Sequence, residues 1–242
     1  MKLLFIRHGD PDYSIDSLTP TGWKEAELAA LRLEKMDIRA IYCSPLGRAR
    51  DTARPALEKL GRQAQILPWL EEFPPKVLRP HKSVEGVAWD WLPQDWTADK
   101  RFYHREEWMN NERFVQAAVG EKAAAVGREL DALLAQYGYV RDGECYRAEQ
   151  PNEDTLVFFC HFGILCVMLS HLLGISPMPL WHGMCAAPSS FTVLTTEERR
   201  KGIASFRMNA FGDTSHLYAG GREPSFAARF CETFDNREQR HD

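Results

Sequence analysis

Two short apolar runs, each ending on a histidine, constrain this chain more than any other feature. Lys2-Leu3-Leu4-Phe5-Ile6 runs into Arg7-His8-Gly9-Asp10, and Thr155-Leu156-Val157-Phe158-Phe159-Cys160 runs into His161. Runs that are apolar at nearly every position read as strands buried on both faces, as in a parallel sheet covered by helices. In open α/β sheets ligands sit beyond the carboxyl ends of the strands, so Arg7, His8 and His161 fall where chemistry is expected.

The intervening chain alternates strand and helix. Thr19 is an N-cap with Pro20 at the first helical position, and Ala26, Ala29, Ala30 and Leu33 then recur at helical spacing. Ala40-Ile41-Tyr42-Cys43 is a second short strand. A helix with Ala49, Thr52, Ala53, Ala56 and Leu60 on one face follows, and then a strand at Gln65-Ile66-Leu67. This βαβ rhythm predicts an α/β fold, a three-layer α/β/α sandwich with a mostly parallel central sheet. Residues 73–114 break the rhythm with four of the seven tryptophans (Trp89, Trp91, Trp96, Trp108) and read as a mostly helical, aromatic-rich insertion. Its aromatic side chains would pack a satellite core, and some would form a lid over the site. A long helix is expected from about Arg113 to Tyr137, stopped by Gly138. After the strand that delivers His161 come an apolar helix ending near Gly174 and strands at Phe191–Leu194 and Ser205–Met208. The tail from about Gly220 is polar and reads as a loosely held end.

At 242 residues with 44% apolar content, the chain can bury a full core, and residues 1–242 are read as a single domain. A net charge of −4 offers no field for nucleic acid or an acidic membrane, so any anion site must be built locally. The six cysteines lack framework or metal spacing and several sit in apolar runs, which predicts reduced thiols. No run approaches membrane-spanning length and no leader is evident, so a soluble, cytoplasmic protein is expected. The remaining histidines (His81, His104, His171, His182, His216, His241) show no metal spacing and no Gly-rich nucleotide loop is present. No metal or cofactor is expected.

Arg7 offers a planar fork of donors for a phosphate or carboxylate, and His8 a nitrogen that is nucleophilic when neutral. A second cation comes from Arg48 or Arg50, which lie about 200° apart on a helix, so that one alone faces a site. Glu71 and Glu72 likewise point to opposite faces of an extended stretch, and one of them can supply an acid.

The order of Arg7-His8-Gly9, Ser44-Pro45-Leu46-Gly47-Arg48-Ala49-Arg50-Asp51-Thr52-Ala53, Leu70-Glu71-Glu72 and His161 resembles that of the histidine phosphatase family, also called phosphoglycerate mutase-like. The resemblance spans roughly residues 1–75 and 155–217. It implies His8 as nucleophile, Arg48 rather than Arg50 as the second phosphate-binding arginine, and Glu72 of the Leu-x-Glu pattern as the acid. His161 would be a second catalytic histidine, protonated and donating to the transferred phosphoryl group. Asn209-Ala210-Phe211-Gly212-Asp213-Thr214-Ser215-His216-Leu217 resembles the family's closing segment, with a structural role. Three positions depart from the pattern. Phe162 stands where His-Gly is usual, Asp10 replaces a glutamate, and Ser14 stands where relatives often carry an asparagine donor to the phosphate.

The resemblance implies a phosphatase that works through a phosphohistidine on a small phosphorylated metabolite. A phosphoglycerate mutase-type phosphotransferase is the alternative. It is disfavoured by the short interval between His8 and Leu18 and by Glu71-Glu72-Phe73-Pro74-Pro75, where mutases carry Glu-Arg-His-Tyr-Gly. A non-catalytic phospho-ligand binding protein is a third reading. Asp10, Asp12 and Asp16 make the first loop acidic, against a highly phosphorylated substrate, and selectivity is expected to lie in residues 73–114.

Overall fold

The computed structural model describes residues 1–80 and 82–239. His81 and His241 therefore lie outside the described residues. The strands of the main sheet, in chain order, are β1 (Lys2–Arg7), β2 (Ala40–Cys43), β3 (Gln65–Ile66), β4 (Tyr139–Asp142), β5 (Cys145–Ala148), β6 (Thr155–Cys160), β7 (Phe191–Arg200) and β8 (Ile203–Asp213). They form one eight-stranded sheet in the order β3-β2-β6-β1-β7-β8-β5-β4. β3, β2, β6 and β1 are mutually parallel, and the pairings from β1 outward through β7 are antiparallel. The parallel half is the half in which both histidine-bearing strands lie.

Alternation along β1 splits its side chains between two cores. Leu4 and Ile6 join Val157 and Phe159 of β6 against α1 (Pro20–Leu33) and α2 (Gly47–Leu60), whose small residues Ala29, Ala30, Ala49, Ala53 and Ala56 allow close packing. Leu3 and Phe5 join Leu156 and Phe158 on the other face, under α3 (Val119–Ala135), α4 (Phe162–Leu173) and α5 (Pro177–Gly183). This is the expected three-layer α/β/α sandwich. Phe5 and Phe158 are register partners and stack at 4.9 Å, a cross-strand pair that fixes the alignment of β1 on β6. α4 is buried nearly all round, as its sequence demands.

Helix starts follow the sequence. Thr19 Oγ1 accepts from the Gly22 N–H at 3.1 Å with Pro20 in the first turn, and Ser176 caps α5. Three elements differ from expectation. The helix expected over 113–137 is broken. Glu112–Gln116 is a separate short helix, and Ala118 at φ +51° redirects the chain into α3. The insertion is less helical than its composition suggested. It holds a two-stranded ribbon (Lys76–Val77 with Gly86–Val87) and helical turns at Pro93–Trp96, Lys100–Tyr103 and Trp108–Asn110. The β4–β5 hairpin, turning at Gly143 (φ +56°), was not anticipated.

Within the insertion Trp91 packs edge-on against Phe102 and Phe114, and Trp108 against Phe114 and Trp181 of α5. These rings are continuous with the main core on the α4 side. All six cysteines are free. Among the described residues no helix is long and apolar enough to cross a membrane.

Candidate active site

β1 and β6 are adjacent, parallel and in register, with Arg7 opposite Cys160. The next residue of each strand is therefore His8 or His161, and the two imidazoles stand 5.2 Å apart, ring centre to ring centre. Both are buried, at 2% and 0% exposure. His8 Nδ1 lies 2.8 Å from its own neighbour's carbonyl, Gly9 O. That oxygen can only accept, so the proton is on Nδ1 and the Nε2 lone pair is free. Burial first, then the Arg7 and Arg48 guanidiniums, push the His8 pKa well below the usual histidine range, against the hydrogen bond to Gly9 O. His8 is a neutral imidazole with an available nitrogen.

His161 is neutral for the same reasons, with burial the largest influence and His8, Arg48 and Arg7 adding to it. Its Nε2 lies 2.7 Å from Ser44 Oγ. The Ser44 oxygen also accepts from the Leu46 N–H at 3.3 Å. The other ring nitrogen of His161, Nδ1, is buried with no partner in the protein.

The two arginines flank the histidines. Arg7 Nη1 donates to Ala186 O at 2.6 Å and its Nε is buried and unpaired. Arg48 lies in the first turn of α2 and is held by Asp16. One carboxylate oxygen pairs with Arg48 Nη1 at 2.6 Å, and the other accepts the Gly47 N–H at 2.6 Å, capping the helix. Arg48 Nε is likewise buried without a partner. Arg50 is exposed, so the geometry selects Arg48 of the two.

Glu71 is exposed, whereas the Glu72 carboxyl is enclosed against the start of α4. Oε1 accepts from Phe73 N–H (2.8 Å) and Ile164 N–H (3.0 Å), and Oε2 has a single longer donor, Gly163 N–H at 3.3 Å. Enclosure raises the Glu72 pKa above the ordinary carboxylate value, and the three backbone donors and Arg7 oppose the rise. Glycine at 163 gives both side chains their space, because a Cβ there would stand 2.7 Å from Glu72 Oε1 and 2.4 Å from Trp89 Nε1 and one of them would have to shift.

Of the residues singled out in the sequence, Arg7, His8, Arg48, Glu72 and His161 influence one another electrostatically around these strand ends. Ser14 is exposed and donates to Asp12 Oδ1 at 2.5 Å. Phe162, the residue that departs from the His-Gly pattern, lies with its ring 5.8 Å from the Arg7 guanidinium carbon.

Several supporting contacts escaped sequence reasoning. Thr52, which looked like part of an apolar helix face, accepts from the Gly9 N–H at 2.9 Å and donates to Arg48 O at 2.7 Å. Buried Glu25 accepts the Asp10 N–H at 2.7 Å and also reaches the Ser225 N–H of the tail at 3.3 Å. His216 Nε2 pairs with Ser189 Oγ at 3.2 Å, and the Ser189 N–H donates to His8 O at 3.0 Å. The presence of Thr at 52 among alanines was the available signal for the first. The others depend on chain segments far apart in sequence.

Cations flanking two neutral imidazoles, with an acid at hand, suit a dianionic phosphoryl group, which sets the chain among α/β enzymes of phosphoryl transfer. The sequence pattern of the histidine phosphatase superfamily (branch 1) matches residues 3–209, and the chain belongs to that superfamily. It is 42% identical over 231 residues to a probable phosphatase of Schizosaccharomyces pombe, covering 90% of this chain and 95% of the relative. It is 26% identical over 188 residues to a probable phosphoglycerate mutase of Yersinia enterocolitica, covering 73% of this chain and 77% of that one. The fold is shared with a variant of Entamoeba histolytica phosphoserine phosphatase in complex with phosphoserine. There the TM-score is 0.57 at 20% identity, over 89% of this chain and 98% of the other.

Proposed function

We propose that this chain is a phosphomonoesterase that hydrolyses small phosphorylated metabolites through a phosphohistidine on His8. The observation that carries the reading is the pair of buried strand-end imidazoles 5.2 Å apart, with His8 Nε2 left free by the Nδ1 bond to Gly9 O. In the first step His8 Nε2 attacks phosphorus and forms a P–N bond while the ester P–O bond breaks. Arg7 and Arg48 bind the non-bridging oxygens, and His161 donates to one of them from Nδ1. The arriving dianion favours a charged imidazole there, offsetting the neighbours that hold it neutral. Glu72, protonated on the less occupied Oε2, gives its proton to the departing oxygen. In the second step a water loses its proton to Glu72 and attacks phosphorus, the P–N bond breaks, and inorganic phosphate leaves.

In this reading residues 1–242 act as a single catalytic domain, the segment around 73–114 sets selectivity, and the protein works in the cytoplasm. Ser14 would reach the phosphate only by leaving Asp12. The test is a phosphate-release screen over sugar phosphates, nucleotides, phosphoamino acids and small organic phosphates, with and without 2,3-bisphosphoglycerate. Release from one or more small monoesters without the bisphosphate is expected. Isomerisation of phosphoglycerate that requires it, with no release, would support the mutase alternative.

A further inference from the structure

The family pattern gives no chemical role to residues 73–114, yet this segment contributes a polar atom beside Glu72. Trp89 follows the ribbon strand Gly86–Val87, and its Nε1 is buried with no hydrogen-bond partner. Its position is fixed from several sides. Nε1 and Glu72 Oε1 both lie within 3 Å of the point a Gly163 Cβ would occupy, and the indole meets the Phe162 ring nearly at right angles, 78°, at 6.0 Å. The two residues that follow it are pinned: Asp90 pairs with Arg79 at 2.5 Å, and the Trp91 N–H donates to His182 Nε2 at 3.1 Å.

Buried polar atoms without partners are uncommon; Arg7 Nε, Arg48 Nε and His161 Nδ1 belong to the groups gathered at the strand ends, and Arg79 Nε, Ser190 Oγ, His216 Nδ1 and Ser225 Oγ lie on residues to which the proposed mechanism gives no role. The Trp91 indole N–H is unpaired too, but its ring is wedged between Phe102 and Phe114. Trp89 Nε1 stands instead beside the carboxyl that protonates the leaving oxygen, whose own oxygens are engaged by Phe73, Gly163 and Ile164 N–H groups.

We infer that Trp89 is a specificity residue: its indole N–H donates to an uncharged oxygen of the leaving group near the ester oxygen, and its ring, with Phe162, gives that leaving group an apolar wall. The substrate class is then a monoester of a small alcohol bearing a neutral oxygen acceptor next to apolar surface. A second anionic group is disfavoured by Asp10 and Asp12 in the first loop, where Asp16 is already paired with Arg48. This inference rests on the reading of Glu72 as the acid.

The test compares pairs of alkyl phosphates that differ by one ether oxygen in place of a methylene: 2-methoxyethyl against n-butyl phosphate, and 3-methoxypropyl against n-pentyl phosphate. The ratio of kcat/KM within each pair is measured for wild type and for Trp89→Phe, which keeps a ring and loses the N–H. In at least one pair Trp89→Phe should lower the preference for the ether by about 3- to 10-fold, the worth of one neutral hydrogen bond. Inhibition by inorganic phosphate should stay as in wild type. The ratio is internal, so a loss of folded protein cannot mimic the result. Equal ratios in the two proteins, or a wild type that does not favour the ether in either pair, would overturn the inference. So would a Trp89→Phe effect confined to the alkaline limb of the pH profile, since the N–H would then serve Glu72. His8→Ala is assayed alongside: activity retained there refutes the phosphohistidine route, whatever the ratios at Trp89.

Discussion

Two opposing influences meet at Glu72. Enclosure against the first turn of α4 favours its protonated form, and three backbone N–H groups favour its anion; enclosure is the larger. An acid that must deliver a proton works only while it holds one, so kcat/KM should fall as pH rises through the raised Glu72 pKa. Glu72→Gln should remove that limb. Leaving-group dependence makes the assignment sharper. Protonation matters most for a poor leaving group, so Glu72→Gln should lose about 10²–10⁴-fold on an alkyl phosphate. It should lose far less on p-nitrophenyl phosphate. Glu71→Gln, on an exposed side chain, should change both rates little and alike. If Glu71→Gln alone showed the leaving-group-dependent loss, the acid would be Glu71. The choice between these two carboxylates, and between Arg48 and Arg50, was legible only through the family pattern. Periodicity alone said that one of each pair faces the site.

At the scale of elements, each helix bordering the site is capped by a carboxylate from a distant loop: Asp16 on α2 and Glu72 on α4. The cap on α4 explains Gly163. Substituting Gly163→Ala would drive a methyl group into Glu72 Oε1 and Trp89 Nε1. Activity on alkyl phosphates should fall by at least about tenfold while α4 stays folded, since alanine is the better helix former. Activity assays combined with circular dichroism would check this, and unchanged turnover would show that Glu72 has room to move. β1 and β6 were readable because strands buried on both faces leave an unbroken apolar run. The break before α3 was not, because Ala117 and Ala118 favour helix and only tertiary contacts turn Ala118 to φ +51°. The β4–β5 hairpin did carry a signal in Gly143, the first of the two loop residues between the paired Asp142 and Cys145. It was obscured by Arg141, Glu144 and Arg147, which leave little apolar alternation.

Across the molecule, buried histidines link stability to acidity. His8, His161 and His216 all have pKa values held below the usual range, His216 at about 4, with burial the first cause in each. Lowered values mean that the unfolded chain binds more protons. The contribution of these groups is complete above about pH 6.5 and is lost as pH falls toward their folded values. Glu72 and Glu25, with raised values, act in the opposite sense, favouring the fold at low pH and losing that contribution as pH rises. His216→Gln, neutral throughout, should remove roughly 2–3 kcal/mol of the stability that wild type loses between pH 7.5 and 4.5. Urea unfolding at the two pH values measures it, and parallel losses in both proteins would show that His216 is not held neutral. Only one link of this arrangement, His216 as structural, was readable in the sequence. The Ser189 that ties it to His8 lies in a loop brought there by the sheet.

The central claim is that the phosphoryl group passes through His8. Rapid acid-free quenching of wild type with a ³²P-labelled monoester should trap an enzyme-bound label that is stable to alkali and released by acid, as a phosphoramidate is, and peptide mapping should locate it at His8. His8→Ala should show neither label nor turnover. Label at another residue, or turnover in His8→Ala near the wild-type rate, would contradict the account.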